Sequence, residues 1–203
     1  MSARIFLFRH GQAATGGLMT GQRDVPLSPE GEAEVLRWHE RLAKTLFDAA
    51  YSSPLLRARQ TASLLLGMDA LSVHEPVLVE DLREICLGRW EGRSKLQVMQ
   101  EDAQSWEARG RDIVGVAPPE GESVRQLAGR VLPAFRAVLS QSVNKQNVLV
   151  VAHQAVNRVI LAEIEDIPLD RILSIPQPTA VLNLLEIDAH GRARLRERSL
   201  PDG

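Results

Sequence analysis

Ile5-Phe6-Leu7-Phe8-Arg9-His10-Gly11 is an unbroken apolar run that ends abruptly in a cation, a histidine and a glycine. A continuous apolar run of this length fits a strand buried on both faces of a sheet, as parallel strands are. Open α/β sheets bind ligands beyond the carboxyl ends of such strands, where Arg9 and His10 fall. Much further along, Asn147-Val148-Leu149-Val150-Val151-Ala152-His153 repeats the pattern: a buried strand that runs into a histidine. If both strands lie in one parallel sheet, the two imidazoles emerge on the same edge. This pair of strands sets the expected fold class: α/β, a mixed, mostly parallel central sheet with helices on both faces, in a single domain over residues 1–203.

The intervening chain alternates helix and strand signals. Ser28-Pro29-Glu30-Gly31 reads as a helix start, with Ser28 as cap and Pro29 in the first helical position. Val35, Leu36, Trp38, Leu42 and Leu46 carry an approximate helical stripe on to Phe47. A short strand is expected over 48–53, a helix over 55–66 and a third short strand within 71–77. Two more helices follow, over 94–109 and 123–139, separated by the loop Pro118-Pro119-Glu120-Gly121. After the second histidine a helix is expected over 154–163. The chain then closes with a hairpin, 181–187 with 192–198, across Ala189-His190-Gly191.

Composition excludes several classes. Of 203 residues, 44% are hydrophobic and 25% charged, the profile of a globular chain rather than a disordered one. A net charge of −2 argues against a chain that coats nucleic acid or an anionic membrane, though a small cationic pocket is compatible with it. No apolar run approaches about 18 residues, so no membrane span is expected. The first residues lack the features of a signal peptide. The single cysteine, Cys86, cannot form an internal disulfide. The expectation is a soluble, cytoplasmic protein, with assembly as a homodimer left open.

Taken singly, each candidate residue has an ordinary explanation. An isolated histidine is more often a hydrogen-bonded core or loop residue than a functional one, and Arg57 and Arg59 fit the solvated face of a helix. Their placement shifts the balance. Phosphoryl transfer through a phosphohistidine needs a neutral imidazole nucleophile, and His10 fits. It needs planar cations matched to phosphate oxygens, for which Arg9 and Arg57 stand ready. It also needs a further donor to the equatorial oxygens, His153, and a carboxylic acid to protonate the leaving oxygen, Glu84. With the arginines and His153 doing the electrostatic work, no metal and no other cofactor are called for. Cys86 has no accompanying histidine motif, and His39, His74 and His190 show no ligand spacing. Trp38, Trp90 and Trp106 read as core or lining residues.

Six blocks, in order over residues 4 to about 160, resemble the histidine phosphatase superfamily, the phosphoglycerate-mutase-like fold. They are Arg9-His10-Gly11, the segment from Gly21 through Gly31 and the segment from Tyr51 through Ala62. Leu82-Arg83-Glu84-Ile85 with Leu87-Gly88-Arg89-Trp90-Glu91-Gly92 is the fourth. Pro119-Glu120-Gly121-Glu122-Ser123 and Val150-Val151-Ala152-His153 complete the set. The resemblance implies a phosphate-binding Arg57, an acid on the Glu84 block, and Gln22 among the substrate-binding residues. His153-Gln154-Ala155-Val156-Asn157-Arg158 is similar to the fructose-2,6-bisphosphatase branch, which implies that Gln154 and Arg158 help to hold an anionic substrate. Met99-Gln100-Glu101-Asp102-Ala103 and the overall length look more like α-ribazole phosphatases.

The chain also departs from the family pattern. Gln12 stands where many members have an acid, and Gly16 where many have an asparagine, so either the phosphate shell lacks a donor or Gln12 or Thr15 replaces it. Three functions follow as expectations. The leading one is a phosphomonoesterase acting on a small phosphorylated metabolite. The second is a phosphoglycerate-mutase-type transfer, disfavoured because only residues 93–118 separate the Trp-Glu-Gly block from the late helix. The third is a non-catalytic phospho-ligand-binding protein, disfavoured because both the nucleophile and acid candidates are present. Glu91 and Glu122 are the alternative acids.

Overall fold

The computed structural model describes residues 3–67, 75–188 and 191–200. The chain begins with β1 (Ala3–Arg9), α1 (Pro29–Arg41), β2 (Ala49–Ser52) and α2 (Leu56–Leu66). It continues through β3 (Val77–Leu78), α3 (Lys95–Glu101), α4 (Ala103–Arg111) and α5 (Val124–Ser142). It ends with β4 (Asn147–Ala152), α6 (Gln154–Ile164), β5 (Leu182–Ile187) and β6 (Ala193–Ser199). The six strands form one sheet in the order β3-β2-β4-β1-β5-β6. β3, β2, β4 and β1 run parallel; β5 pairs antiparallel with β1, and β6, antiparallel to β5, forms the edge.

Alternation along β1 divides the core in two. Ile5 and Leu7 face α5 and α6, packing with Leu127, Val131, Val156 and Ile160. Phe6 and Phe8 face α1 and α2, packing with Val35, Trp38, Ala58 and Ala62. Because both faces are covered, β4 is buried along its whole length, which explains the unbroken apolar run in its sequence. The mixed, mostly parallel sheet with helices on both faces is the expected architecture.

Two local expectations need adjustment. The helix expected to reach Phe47 ends at Arg41, and Leu46, assigned to its buried stripe, is 70% exposed. The single helix expected over 94–109 is two, broken at Asp102, whose backbone leaves the helical region (φ −138°, ψ 44°). The Asp102 carboxylate accepts the Trp90 indole N–H at 2.8 Å. Most of the expected strand at 71–77 lies outside the described residues, and β3 begins at Val77. His74, Ala189 and His190 also lie outside them.

Ser28 caps α1 by accepting the Gly31 N–H at 3.2 Å. Gly31 is there for a second reason. A Cβ on it would lie 2.0 Å from the Gln12 carbonyl oxygen, and one on Gly11 would lie 2.5 Å from the Gly31 carbonyl oxygen. The two glycines let the loop after His10 press against the first turn of α1.

Candidate active site

The parallel register pairs Arg9 with Ala152, so His10 and His153 leave β1 and β4 side by side. Their rings lie 5.0 Å apart, centroid to centroid. The Arg9 and His10 backbones are fixed by bonds from Arg9 N–H to the Val181 carbonyl and from His10 N–H to the Ala152 carbonyl, both 3.1 Å. The Gly11 N–H reaches the Thr61 hydroxyl of α2 at 3.2 Å. Beyond these residues opens a cleft of about 600 Å³.

His10 Nδ1 lies 2.7 Å from the Gly11 carbonyl oxygen. A carbonyl can only accept, so Nδ1 carries the ring proton and Nε2 keeps the lone pair. Arg57 Nε–H donates to that Nε2 at 3.2 Å. Burial first, then the charges of Arg57 and Arg9, push His10 well below the usual histidine range; the Gly11 carbonyl opposes this only in part. His10 is therefore a neutral imidazole at pH 7 whose Nε2 lone pair faces Arg57.

Arg57, 2% exposed, is held rigidly from α2: Nη1 donates to the Arg23 carbonyl at 2.9 Å and Nη2 to the Gly21 carbonyl at 2.8 Å. Its remaining N–H groups stay available to an anion. Arg9 Nη1 donates to the Gln177 carbonyl at 2.5 Å. His153 is fully buried, with Nε2 2.7 Å from the Ser53 hydroxyl, which itself accepts the Leu55 N–H at 3.3 Å. Ser53 donating to Nε2 puts the His153 ring proton on Nδ1, and Ser53 accepting from it puts that proton on Nε2. Burial, then the neighbouring His10, Arg57 and Arg9, hold His153 too well below its ordinary range. Among the described residues, Arg9 Nε and His153 Nδ1 are two of three buried side-chain polar atoms with no hydrogen-bond partner. Leaving a buried polar atom unpaired costs about 1–3 kcal/mol, and both atoms belong to residues beside His10.

Glu84 lines the same cleft, its carboxylate accepting the Ile85 N–H at 2.9 Å and the Ala155 N–H, at the start of α6, at 3.2 Å. The segment that carries it is clamped by Arg130 of α5, which donates to the carbonyls of Asp81, Arg83 and Glu84. Glu122 pairs with that same guanidinium at 2.7 Å. Burial alone would raise the Glu122 carboxyl, but the Arg130 hydrogen bond and the Cys86 N–H hold it below the usual range. Glu91 accepts the Gln22 and Leu87 N–H groups. All three carboxylates accept backbone N–H groups; of the three, Glu84 is the one that lines the cleft.

The remaining expectations divide. Gln154 and Arg158 line the cleft, as do Gln12 and Thr15. Gln22 does not; its amide donates to the Glu84 carbonyl at 2.9 Å, which ties it to the acid-bearing segment. Burial raises the Cys86 thiol, the direction of an unreactive cysteine. Trp38 and Trp90 are core residues. Sequence reasoning missed Arg130, Ser53 and Gln177, which act through contacts across the fold that no local spacing announces. It also missed Arg109, which lines the cleft beside apolar Leu87, Ile113, Val124 and Ile172. No group of His, Cys, Asp and Glu side chains suited to a metal occurs among the described residues. None of their helices is long and apolar enough to cross a membrane.

A family model described as the histidine phosphatase superfamily (branch 1) matches residues 5–198. An adenosylcobalamin/alpha-ribazole phosphatase of Escherichia coli is 35% identical over 81% of this chain and 80% of its own length. A 2,3-bisphosphoglycerate-dependent phosphoglycerate mutase of Rhizobium etli is 33% identical over 90% of each. Among solved structures, the alpha-ribazole phosphatase from Shigella flexneri superposes with a TM-score of 0.85 at 31% identity, covering 95% of this chain and 94% of that one. A mycobacterial glucosyl-3-phosphoglycerate phosphatase superposes with a TM-score of 0.81 at 27% identity, covering 96% and 97%.

Proposed function

The chain belongs to the histidine phosphatase superfamily, branch 1, and we propose that it is a metal-independent phosphomonoesterase acting on a small phosphorylated metabolite through a phosphohistidine. The observation that carries this reading is the His10 Nε2 lone pair, held against Arg57 on a cleft that Glu84 also lines. His10 Nε2 attacks phosphorus, and the bond from phosphorus to the ester oxygen breaks. Arg9, Arg57 and His153 hold the equatorial oxygens as their charge rearranges. Glu84 delivers a proton to the departing oxygen, which leaves as a neutral alcohol. The resulting carboxylate then takes a proton from water as that water attacks the phosphohistidine, releasing inorganic phosphate and restoring His10.

Hydrolysis is favoured over mutase transfer by the alpha-ribazole phosphatases among the relatives and among the structures that superpose. The stretch between Glu84 and α5 holds a short turn at Gly88–Trp90, α3 and α4; the Rhizobium etli mutase matches over 90% of each chain, so chain length does not separate the two activities and net phosphate release does. The apolar wall of Leu87, Ile113, Val124 and Ile172 suits a leaving alcohol with a non-polar body. The alpha-ribazole phosphatases among the relatives make α-ribazole 5′-phosphate the first substrate to try. Phosphate release should be measured over a panel of that ester, phosphoglycerates, sugar phosphates and nucleotides, with and without a chelator. The reading requires turnover of at least one monoester, undiminished by chelation. Interconversion of phosphoglycerates without net phosphate release would overturn it in favour of the mutase.

A further inference from the structure

Three cleft side chains end on one short piece of backbone. The Gln177 carbonyl accepts from Arg9 Nη1 at 2.5 Å and from Gln154 Nε2 at 3.2 Å, and the Ile175 carbonyl accepts from Arg158 Nε at 3.0 Å. Arg9 comes from β1, while Gln154 and Arg158 come from α6. A carbonyl can aim a guanidinium only as well as its own backbone is fixed, and residues 175–177 belong to no helix or strand.

The Gln177 side chain supplies that fixation. It is 2% exposed, and both ends of its amide are engaged. Oε1 accepts from Asn157 Nδ2 of α6 and from Asn183 Nδ2 of β5, each at 3.2 Å. Nε2 donates to Asn183 Oδ1 and to the Pro176 carbonyl, each at 2.9 Å. Asn183 is itself tied to the Leu7 carbonyl of β1 at 3.2 Å and accepts Arg198 Nε at 3.0 Å. The amide cluster therefore joins the strand that carries Arg9, the helix that follows His153 and the backbone that aims Arg9.

We propose that Gln177 is a positioning residue for anion binding: its buried amide, locked between Asn157 and Asn183, holds its own carbonyl where it aims the Arg9 guanidinium at the phosphoryl site. This rests on the phosphatase reading, since it takes the anion at His10 to be a phosphoryl group. Arginine has a long, rotamer-rich side chain, and pre-aiming one of its donors leaves less to be ordered when the anion arrives. The amide cluster never touches the anion; its effect passes through Arg9.

A double-mutant cycle on anion binding tests this, with orthovanadate titrated calorimetrically so that turnover is not needed. Gln177→Met keeps length and backbone while removing the amide. It should weaken vanadate binding about tenfold, well within what a misplaced binding group can lose. In an Arg9→Ala background the same change should alter binding by less than about threefold, because coupled sites are not additive. Equal losses in both backgrounds, or no loss in either, would overturn the inference and make the cluster ordinary core. If Gln177→Met does not fold, Asn157→Leu, which removes one donor to Gln177 Oε1, carries the same cycle with the same criteria. Failure of the parent protein to bind vanadate at all would sink the phosphatase reading itself, and this inference with it.

Discussion

On the proposed mechanism, two residues beside His10 each make a prediction, Arg57 as anion ligand and Glu84 as proton donor. Arg57 is buried, held by two carbonyls and bonded to the His10 Nε2 lone pair. Charge-assisted hydrogen bonds are worth about 1.5–3 kcal/mol, so Arg57→Ala should weaken phosphate and vanadate inhibition by roughly one to two orders of magnitude. Arg57→Lys should recover only part of this, since an ammonium cannot copy the two-pronged contact. Full recovery by lysine would show that only its charge matters. Glu84→Gln removes the proton donor, which is worth about 10²–10⁴ in rate. The loss should fall on alkyl phosphates, whose alkoxides need that proton. A nitrophenyl phosphate should still transfer its phosphoryl group, seen as a burst of nitrophenol before slow dephosphorylation. An equal loss for both ester types, with no burst, would remove Glu84 from the acid's role.

At the scale of elements, the site depends on where β1 and β4 stop and on how α1 and α2 grip the loop that follows. The two strand runs and their terminal histidines were legible in the sequence because burial on both faces demands unbroken apolar residues. The Ser28 cap was legible because its chemistry is local. The break at Asp102 was not, since the apolar spacing runs on across it and only the backbone there leaves the helical region. Arg130, Ser53 and Gln177 escaped because each contacts residues distant in sequence. The close approach at Gly31 gives a direct test of the grip. Gly31→Ala puts a methyl 2.0 Å from the Gln12 carbonyl oxygen, where backbone must move. Such overpacking costs about 1–3 kcal/mol. For a chain of this size that is a fall in Tm of about 2–4 °C per kcal/mol, measurable by calorimetry. An unchanged Tm would mean that the loop and α1 move apart freely.

Across the whole molecule, burying two neutral histidines ties stability to pH. Both are held well below 6.5 by burial first and by neighbouring cations, with His10 a further cause for His153. Below about pH 6.5 the unfolded chain binds protons that the folded one refuses, so stability is fully present above that pH and falls as pH drops below it. Each histidine contributes a slope of up to about 1.4 kcal/mol per pH unit. Urea denaturation from pH 7.5 to 5 should show this fall, and His10→Gln with His153→Gln should flatten it. A wild-type profile that matches the double variant would mean that both imidazoles protonate freely in the folded state.

The central claim is a covalent phosphoryl group on His10 Nε2. Enzyme mixed with radiolabelled substrate, quenched within milliseconds and mapped by peptide should carry acid-labile, base-stable label on the peptide containing His10, on Nε2. The label should be absent from His10→Ala and should persist in Glu84→Gln. Label on Cys86, a serine or His153, or near-normal turnover by His10→Ala without any label, would contradict the account.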